Sequence, residues 1–416
     1  MGAADGQSNS SGDRVATPRM AARLRGRRVP ITSPGLEALA SRWRELEQHA
    51  HANPFLTFEW MDAWWRAFGE GHEPYVISVE DDEATTIGIA ALMRSVKRGR
   101  FGGRIATLRL MGDPGSDRLG FVSRRGLERE VADAVSACLR RNQGDWHVLA
   151  FSNLVSGSPE LEALVEGFTG DHLVIGEPGL ACPYLTIRGD WASYLKGRSA
   201  NFRSEVRRAR RKVEQELGGQ IRTCHEPGEV LHALEFLFQH SIERFAEGSA
   251  SSFSDRRLRA FHLTVAPRLL ELGRLSLFVL EIEGEIAAVL YDFAHGDTVW
   301  FYNAAFDPRW GPFKVGSVLL AHAIEDAFSQ GAQEFDFLLG AYPYKLRWTS
   351  EARQHRLLTV VRPHPNAVLE AAVPRWWDGT KEWVKRTAPP KLATWLRQAA
   401  RVLGDAGAGR GRSRSS

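Results

Sequence analysis

Cysteine is scarce in this chain of 416 residues: Cys138, Cys182 and Cys224 are scattered, with no Cys-x-x-Cys pair. That excludes a disulfide framework and a thiolate zinc site, and it suits a reducing compartment. No run of roughly 20 apolar residues occurs, so no spanning helix is expected. The early arginines Arg23, Arg25, Arg27 and Arg28 are not followed by the long apolar core of a secretory signal. These absences together predict a cytoplasmic protein. His225, His240, His262 and His322 show no ligand spacing, so no metal is expected. No Ser–His or Cys–His pairing stands out, which argues against a covalent enzyme intermediate.

What is present is a hydrophobic fraction of 43%, ample for the cores of two to three domains. The charge is uneven. Residues 1–30 hold six Arg against two Asp, and residues 363–416 hold ten Lys or Arg against four Asp or Glu. The two ends therefore carry +10, which leaves −6 on residues 31–362 of a chain of net charge +4. The basic pI is a property of the ends and does not imply nucleic acid for the body.

The spacing predicts helices over Leu36–Gln48, Glu59–Phe68 and Leu127–Arg140, and strands over Tyr75–Val79, Ile87–Met93, Ile105–Leu110 and His147–Phe151. The second half repeats this plan. Leu277–Ile282 and Glu285–Phe293 form a hairpin around Glu283-Gly284, as Val76–Val79 and Ile87–Leu92 do around an acidic turn. Asp145–Phe151 is matched by Glu334–Leu339, each after a helix. The pattern reads as two diverged copies of one α/β unit. Between them lies a basic helical region, Trp191–Leu217, with Asn201 as its expected cap and Arg203, Arg207 and Arg210 along one face. Val373–Lys385 and Lys391–Leu403 read as short amphipathic helices in which Trp376, Trp377, Trp383 and Trp395 interleave with Lys and Arg, which suits packing on the body or peripheral contact with a membrane.

The stretch from Val299 to Trp348 carries the most chemistry. An apolar strand leads into Asp307–Gly316, expected as an irregular Gly-containing loop. Then follows a helix that Ser317 can cap, with Leu319, Leu320, Ala323, Ile324 and Ala327 as its apolar stripe. Phe335–Leu339 is a second buried strand and Tyr344-Lys345 follows it. A Gly-containing turn feeding a helix start offers unpaired N–H groups at the positive end of the helix dipole, and a pyrophosphate is the natural guest.

These residues resemble the GNAT-like acetyltransferases of the cellulose-biosynthesis (CelD/BcsL) type. The matching pieces are Asn201-Phe202-Arg203 with Arg207-Arg208-Ala209-Arg210, Phe278–Ala288, Phe306-Asp307-Pro308, Gly316–Leu320, Glu334–Gly340 and Tyr344–Trp348. In the first half they are Pro54–Thr57 with Trp60, Trp64 and Trp65, and Asp117-Arg118-Leu119. The resemblance implies an α/β fold of two tandem GNAT-like domains, mixed central sheets flanked by helices. Residues 31–185 would be a degenerate amino-terminal copy and residues 186–362 the acyl-CoA-binding copy, with a disordered basic tail over 1–30 and a basic Trp-rich helical tail over 363–416. It also implies acetyl-CoA or a longer acyl-CoA as co-substrate, and an amine or hydroxyl acceptor. Kinship with the aminoacyl transferases that build peptidoglycan bridges from charged tRNA follows too. Members commonly carry Arg before the Gly and acidic residues before the Tyr-Lys; this chain has Leu339 and Ala341-Tyr342-Pro343 instead.

On this basis Arg309, Gly311, Lys314, Val315, Gly316 and Ser317 are the expected donor-phosphate site, the glycines letting backbone N–H groups approach anionic oxygens. Tyr344 can give the thiolate leaving group its proton, and Lys345 can steady an oxyanion or bind an acidic acceptor. Asp336 alternates away from Phe335 and Phe337 and is the expected base, ahead of Glu334 and Glu281. Arg203, Arg207 and Arg244 are expected to grip a small-molecule, glycan or lipid-linked acceptor, with the Gly248–Phe253 turn closing over it. Nucleic acid is disfavoured because aromatic residues do not interleave with these arginines. Two rivals stay open: an aminoacyl-tRNA-dependent ligase, and a non-catalytic CoA-binding partner of a polysaccharide assembly complex.

Overall fold

The computed structural model describes residues 24–31, 35–51, 53–99, 103–245, 252–364 and 367–368. The first half runs β1 (Arg25–Val29), α1 (Ala40–Glu47), α2 (Phe58–Phe68), β2 (Glu73–Glu80), β3 (Thr86–Arg98), β4 (Arg104–Leu110), β5 (Val122–Ser123), α3 (Glu128–Arg141), β6 (Val148–Val155), α4 (Pro159–Phe168) and β7 (Leu173–Thr186). A linker of α5 (Trp191–Lys196) and α6 (Ala200–Arg211) follows. The second half runs β8 (Gln220–Thr223), α7 (Pro227–Phe245), α8 (Arg256–Glu271), β9 (Leu275–Ile282), β10 (Glu285–His295), β11 (Thr298–Phe306), α9 (Val315–Ser329), β12 (Glu334–Asp336), α10 (Pro343–Leu346) and β13 (Glu351–Val361).

The strands form one sheet in the order β1-β2-β3-β4-β6-β13-β7-β12-β11-β10-β9-β8, with β5 beside β3. Read from either end, this order is the same unit twice: β1, β2, β3, β4 and β6 correspond to β8, β9, β10, β11 and β12. In each half one parallel pair, β4–β6 or β11–β12, follows an antiparallel meander. Each half lends its last strand to the other. β13 pairs with β6, β7 pairs with β12, and the two pair with each other along the middle. The chain therefore has no sheet boundary between its halves.

The hairpins form where the sequence asks for them. Glu283 and Gly284, both at positive φ, make the two-residue turn between β9 and β10 that matches strand twist. Thr57 caps α2 through the Trp60 N–H, and Ser158 caps α4 through the Leu161 N–H. One large core spans both halves: Trp60 of α2 meets Phe261 of α8 edge to face at 4.8 Å, and Phe55 meets Phe293 and Trp300. Each such ring contributes packing beyond its buried area, about 0.5–1.5 kcal/mol per pair. A second core lies under α9, between it and β9–β12.

Several expectations are corrected. Residues 25–29 are not part of a disordered tail: β1 pairs along its full length with β2, and Arg28 bonds Glu73. The basic helix is capped by Ser199, whose hydroxyl takes the Phe202 N–H, not by Asn201, which lies inside the first turn. Asp307–Gly316 is not irregular: Pro308–Phe313 is a 3-10 turn, and α9 starts at Val315 with Lys314 in the capping position, two residues ahead of Ser317. The second strand of the pair is short, Glu334–Asp336. The Trp-rich segments Val373–Lys385 and Lys391–Leu403 lie outside the described residues, as does most of the Gly248–Phe253 turn.

Candidate active site

The parallel strands β11 and β12 share only three residue pairs, Thr298–Glu334 to Trp300–Asp336, and then part. The gap opens into a cleft of about 340 Å³. Its walls are Phe301, Ala304 and Phe306 of β11, Gly311 and the start of α9, the inner face of α6 (Phe202, Glu205, Val206, Ala209), and Tyr344, Arg347 and Trp348 beyond β12.

The start of α9 is the chemically distinctive wall. Lys314 holds a left-handed backbone, φ 60°, and no side chain caps the helix. A left-handed residue after a helical turn points successive N–H groups into one concavity. The N–H groups of Val315 and Gly316 have no acceptor within a helix that begins at Val315. No acidic residue stands in the first turn. A Cβ on Gly316 would lie 3.2 Å from Cδ1 of Phe306, so this wall is close-packed as well as polar.

The charged groups around the cleft converge on one carboxylate. Glu205 accepts from Lys314 Nζ at 2.5 Å and from both terminal nitrogens of Arg347. Hydrogen bonds from Arg347, then from Lys314, hold Glu205 well below the usual carboxylate range, at about 2. Arg210 on the same helix pairs with Glu325 of α9, which fastens α6 over the cleft.

Of the residues expected at the donor site, Gly311, Lys314, Val315, Gly316 and Ser317 all line the cleft. Ser317 does so inside the helix, its N–H bonded to the Lys314 carbonyl. Arg309 does not reach the cleft. Its guanidinium is held by Asp307 and Glu285 on the outer side of the 3-10 turn. Tyr344 lines the cleft and is 48% exposed.

Lys345 and Asp336 lie behind the cleft. Lys345 is buried, and its Nζ donates to the carbonyls of Phe337 at 2.6 Å and Leu339 at 2.8 Å. Burial lowers this ammonium to about 8, against the opposing pull of Asp117. Asp336 is fully buried, in contact with Arg118, 3.0 Å from Arg353, and accepting from the Leu338 N–H. Strand alternation does turn Asp336 away from Phe335 and Phe337, but into the seam between the halves. Glu334 is held by Arg353 and Glu281 by Arg222. Arg203 donates to the carbonyls of Lys196 and Arg198, and with Arg207 it lines the outer face of α6. Arg244 lies in α7, and its side chain is outside the described residues.

Three features were not foreseen. Glu205 and Arg347 gave no sequence signal beyond their places in the basic helix and after Tyr344-Lys345. The loop after β4 reaches across to the second half: Asp117 accepts the Leu339 N–H, Arg118 stacks over Trp300 at 4.6 Å, and Tyr302 donates to the Gly115 carbonyl. Burial raises Asp117 to about 6. The third is a Cys–His contact, absent from the sequence reading: Sγ of Cys182 lies 3.2 Å from Nδ1 of His355 on the exchanged strands. Burial raises the thiol and lowers the imidazole to about 4, so both are neutral near pH 7 and the pair is no activated nucleophile. Among the described residues no group of His, Cys, Asp and Glu is placed to hold a metal ion, and no helix is long and apolar enough to cross a membrane.

Residues 200–346 match the acetyltransferase (GNAT) domain family. No curated protein matches the sequence. The structure is similar to that of FemX, at 12% identity over 80% of this chain and 96% of that one, with a TM-score of 0.56. It is also similar to a conserved protein of unknown function from Bacteroides thetaiotaomicron VPI-5482, at 10% identity over 80% and 99%, with a TM-score of 0.51. A tandem GNAT protein from the clavulanic acid biosynthesis pathway overlaps at 14% identity over 80% and 98%, with a TM-score of 0.40. The chain thus has a GNAT-type α/β fold, its mixed sheet flanked by helices, and the segment that matches the acetyltransferase domain is the one that builds the cleft.

Proposed function

We propose that this protein is an acyl-CoA-dependent acyltransferase, of the CelD/BcsL type, that moves an acetyl or acyl group to an amine or hydroxyl of a sugar, amino acid or envelope precursor. The observation that carries this reading is the uncapped start of α9, with left-handed Lys314, opening on a cleft that ends at Tyr344. The diphosphate of CoA would sit on the N–H groups of Val315 and Gly316. Lys314 and Arg347, parked on Glu205 in the free protein, would turn to the phosphates. The pantetheine arm would follow β11 past Ala304 and bring the thioester to the parting of β11 and β12.

The acceptor nitrogen or oxygen then attacks the thioester carbon. The new N–C or O–C bond forms as the C–S bond breaks, the thiolate takes a proton from the Tyr344 hydroxyl, and the acceptor's proton leaves to water. Asp336 and Lys345 serve this site by holding the floor of the crevice, since both are engaged by buried partners. Alignment in the cleft supplies much of the rate; positioning alone can be worth about 7–11 kcal/mol.

Calorimetry of CoA against the wild type and Gly316→Glu tests the reading. The carboxylate should repel the diphosphate and fill its place, weakening binding at least a hundredfold; equal affinities would sink the placement. The ligase reading makes a different forecast, activity abolished by ribonuclease and indifferent to CoA. Leu339 and Ala341-Tyr342-Pro343 keep the non-catalytic reading alive, and CoA binding without transfer to any acceptor would favour it.

A further inference from the structure

We propose that the outer face of α6, together with the apolar rim beside the cleft, docks the protein on an anionic phospholipid bilayer, so that the cleft works at that surface. On the proposed function this places the acceptor at a membrane; the docking itself does not depend on the donor.

The outer face of α6 is a strip of cations without counter-charges among the described residues. Arg203, Arg207, Arg208 and Arg211 line a shallow groove of about 430 Å³ along it. Arg207, Arg208 and Arg211 are exposed, and none has an acidic partner among the described residues. Arg203 donates only to backbone carbonyls. The neighbouring cations behave differently: Arg210 is paired with Glu325, and Lys314 and Arg347 with Glu205. An unpaired strip stands out on a body of charge −6 (residues 31–362). Guanidinium groups chelate phosphate oxygens and lose little hydration in doing so.

A second observation comes from the other side of the cleft mouth. Six large hydrophobic residues are exposed among the described residues, and three of them, Tyr342, Tyr344 and Leu346, fall within five positions. The Tyr342 and Tyr344 rings are parallel, 8° apart, with centroids 6.2 Å from one another. Tyr342 lies on Gly340, where any Cβ would meet the ring at 2.4 Å. Tyrosine and leucine beside arginine are what an interfacial surface uses: rings and aliphatic groups among the headgroups, guanidinium on the phosphates. The strip and the rim flank the same cleft wall: α6 turns Phe202, Glu205, Val206 and Ala209 to the cleft and the arginines away from it, and α10 borders the cleft from the other side. RNA fits less well. No aromatic side chain lines the arginine groove on which bases could stack.

The test uses the full chain and vesicles of phosphatidylcholine, alone or with phosphatidylglycerol at about one third, in a sedimentation assay. Binding should require the anionic lipid and weaken with salt. Each arginine near an anionic surface is worth roughly fivefold in partition, so the triple variant Arg207→Ala, Arg208→Ala, Arg211→Ala should lose on the order of a hundredfold. Leu346→Ser should lose a few-fold more weakly, with CoA affinity by calorimetry unchanged in both. Equal partition of wild type and triple variant would overturn the proposal, because the basic carboxy-terminal segment would then account for any binding. So would equal binding to uncharged vesicles. Tighter binding to bulk tRNA than to vesicles, lost in the triple variant, would reassign the strip to RNA. Failure of CoA to bind the wild type would count against the donor reading alone.

Discussion

The two halves place a helix start at the same point of the same unit and use it in opposite ways. Neither helix start has a side-chain cap, but in the second half α9 begins without an acidic residue and a cleft lies before it. In the first half, α3 begins with Glu128 and Glu130 in its first turn, and the Glu128 carboxylate takes the Gly126 N–H at 2.9 Å. The gap beyond β4 and β6 is filled: Phe121 meets Phe151 edge to face, and Glu160 reaches in to accept the Phe121 N–H at 3.1 Å. One copy leaves its helix start open to a cleft, and the other covers the equivalent place with its own side chains. The loop freed in the first half, Gly112–Leu119, instead crosses to the second half and braces the strand end behind the cleft.

The largest effect is expected at that brace. Asp336→Ala would leave Arg118 and Arg353 without their shared carboxylate in a buried seam, and removing one member of a buried ion cluster costs about 3–5 kcal/mol. Urea unfolding should show that loss; a change under 1 kcal/mol would mean the halves are not tied there. Calorimetry next separates the two helix starts: one CoA per chain, eliminated by Gly316→Glu and untouched by Glu128→Gln. A stoichiometry of two would mean that the first half also binds donor.

Glu205→Gln sharpens the comparison from the other direction. It removes the one carboxylate that competes for Lys314 and Arg347, so CoA affinity should rise several-fold, roughly 1 kcal/mol. Weaker binding would show that Glu205 orients the cations rather than occupying them. The smallest effect is a pH slope. Burial raises Glu160 from 4.5 to about 8. Between those values the folded protein holds a proton that the unfolded chain has released, so this group's contribution to stability falls as pH rises from about 4.5 through 8. Glu160→Gln should lose less Tm between pH 5 and pH 8 than the wild type does. Parallel Tm profiles would contradict this, and a residual slope is expected from Asp117, raised to about 6.

The meanders and amphipathic helices were legible because their patterns are local. The β9–β10 hairpin announces itself by Glu283-Gly284 between two apolar runs, and α9 by its stripe from Leu319 to Ala327. The exchanged strands were not. β7 contains Gly176, Pro178, Gly179 and Pro183, and β13 contains Glu351, Arg353 and Arg356, so neither reads as a buried central strand. Their pairing is decided by partners far along the chain. The cleft wall at Gly311 and Gly316 was legible because glycines before a helix have a physical meaning, but the cap was misplaced, since Lys314 in a left-handed conformation has no sequence signature. Asp336 and Arg309 were assigned chemistry that their partners, Arg118 and Arg353 in one case and Asp307 and Glu285 in the other, take up instead. Those partners become visible only with three-dimensional neighbours.

The crossing of β7 and β13 also bears on synthesis. A ribosome delivers β6 long before β13, so the nascent first half emerges with β6 lacking its neighbour on one side until residues 351–361 arrive. An open edge of that kind invites mispairing. Expressing residues 24–186 alone should therefore give an aggregating fragment, and adding a synthetic peptide of residues 349–363 in trans should restore its solubility.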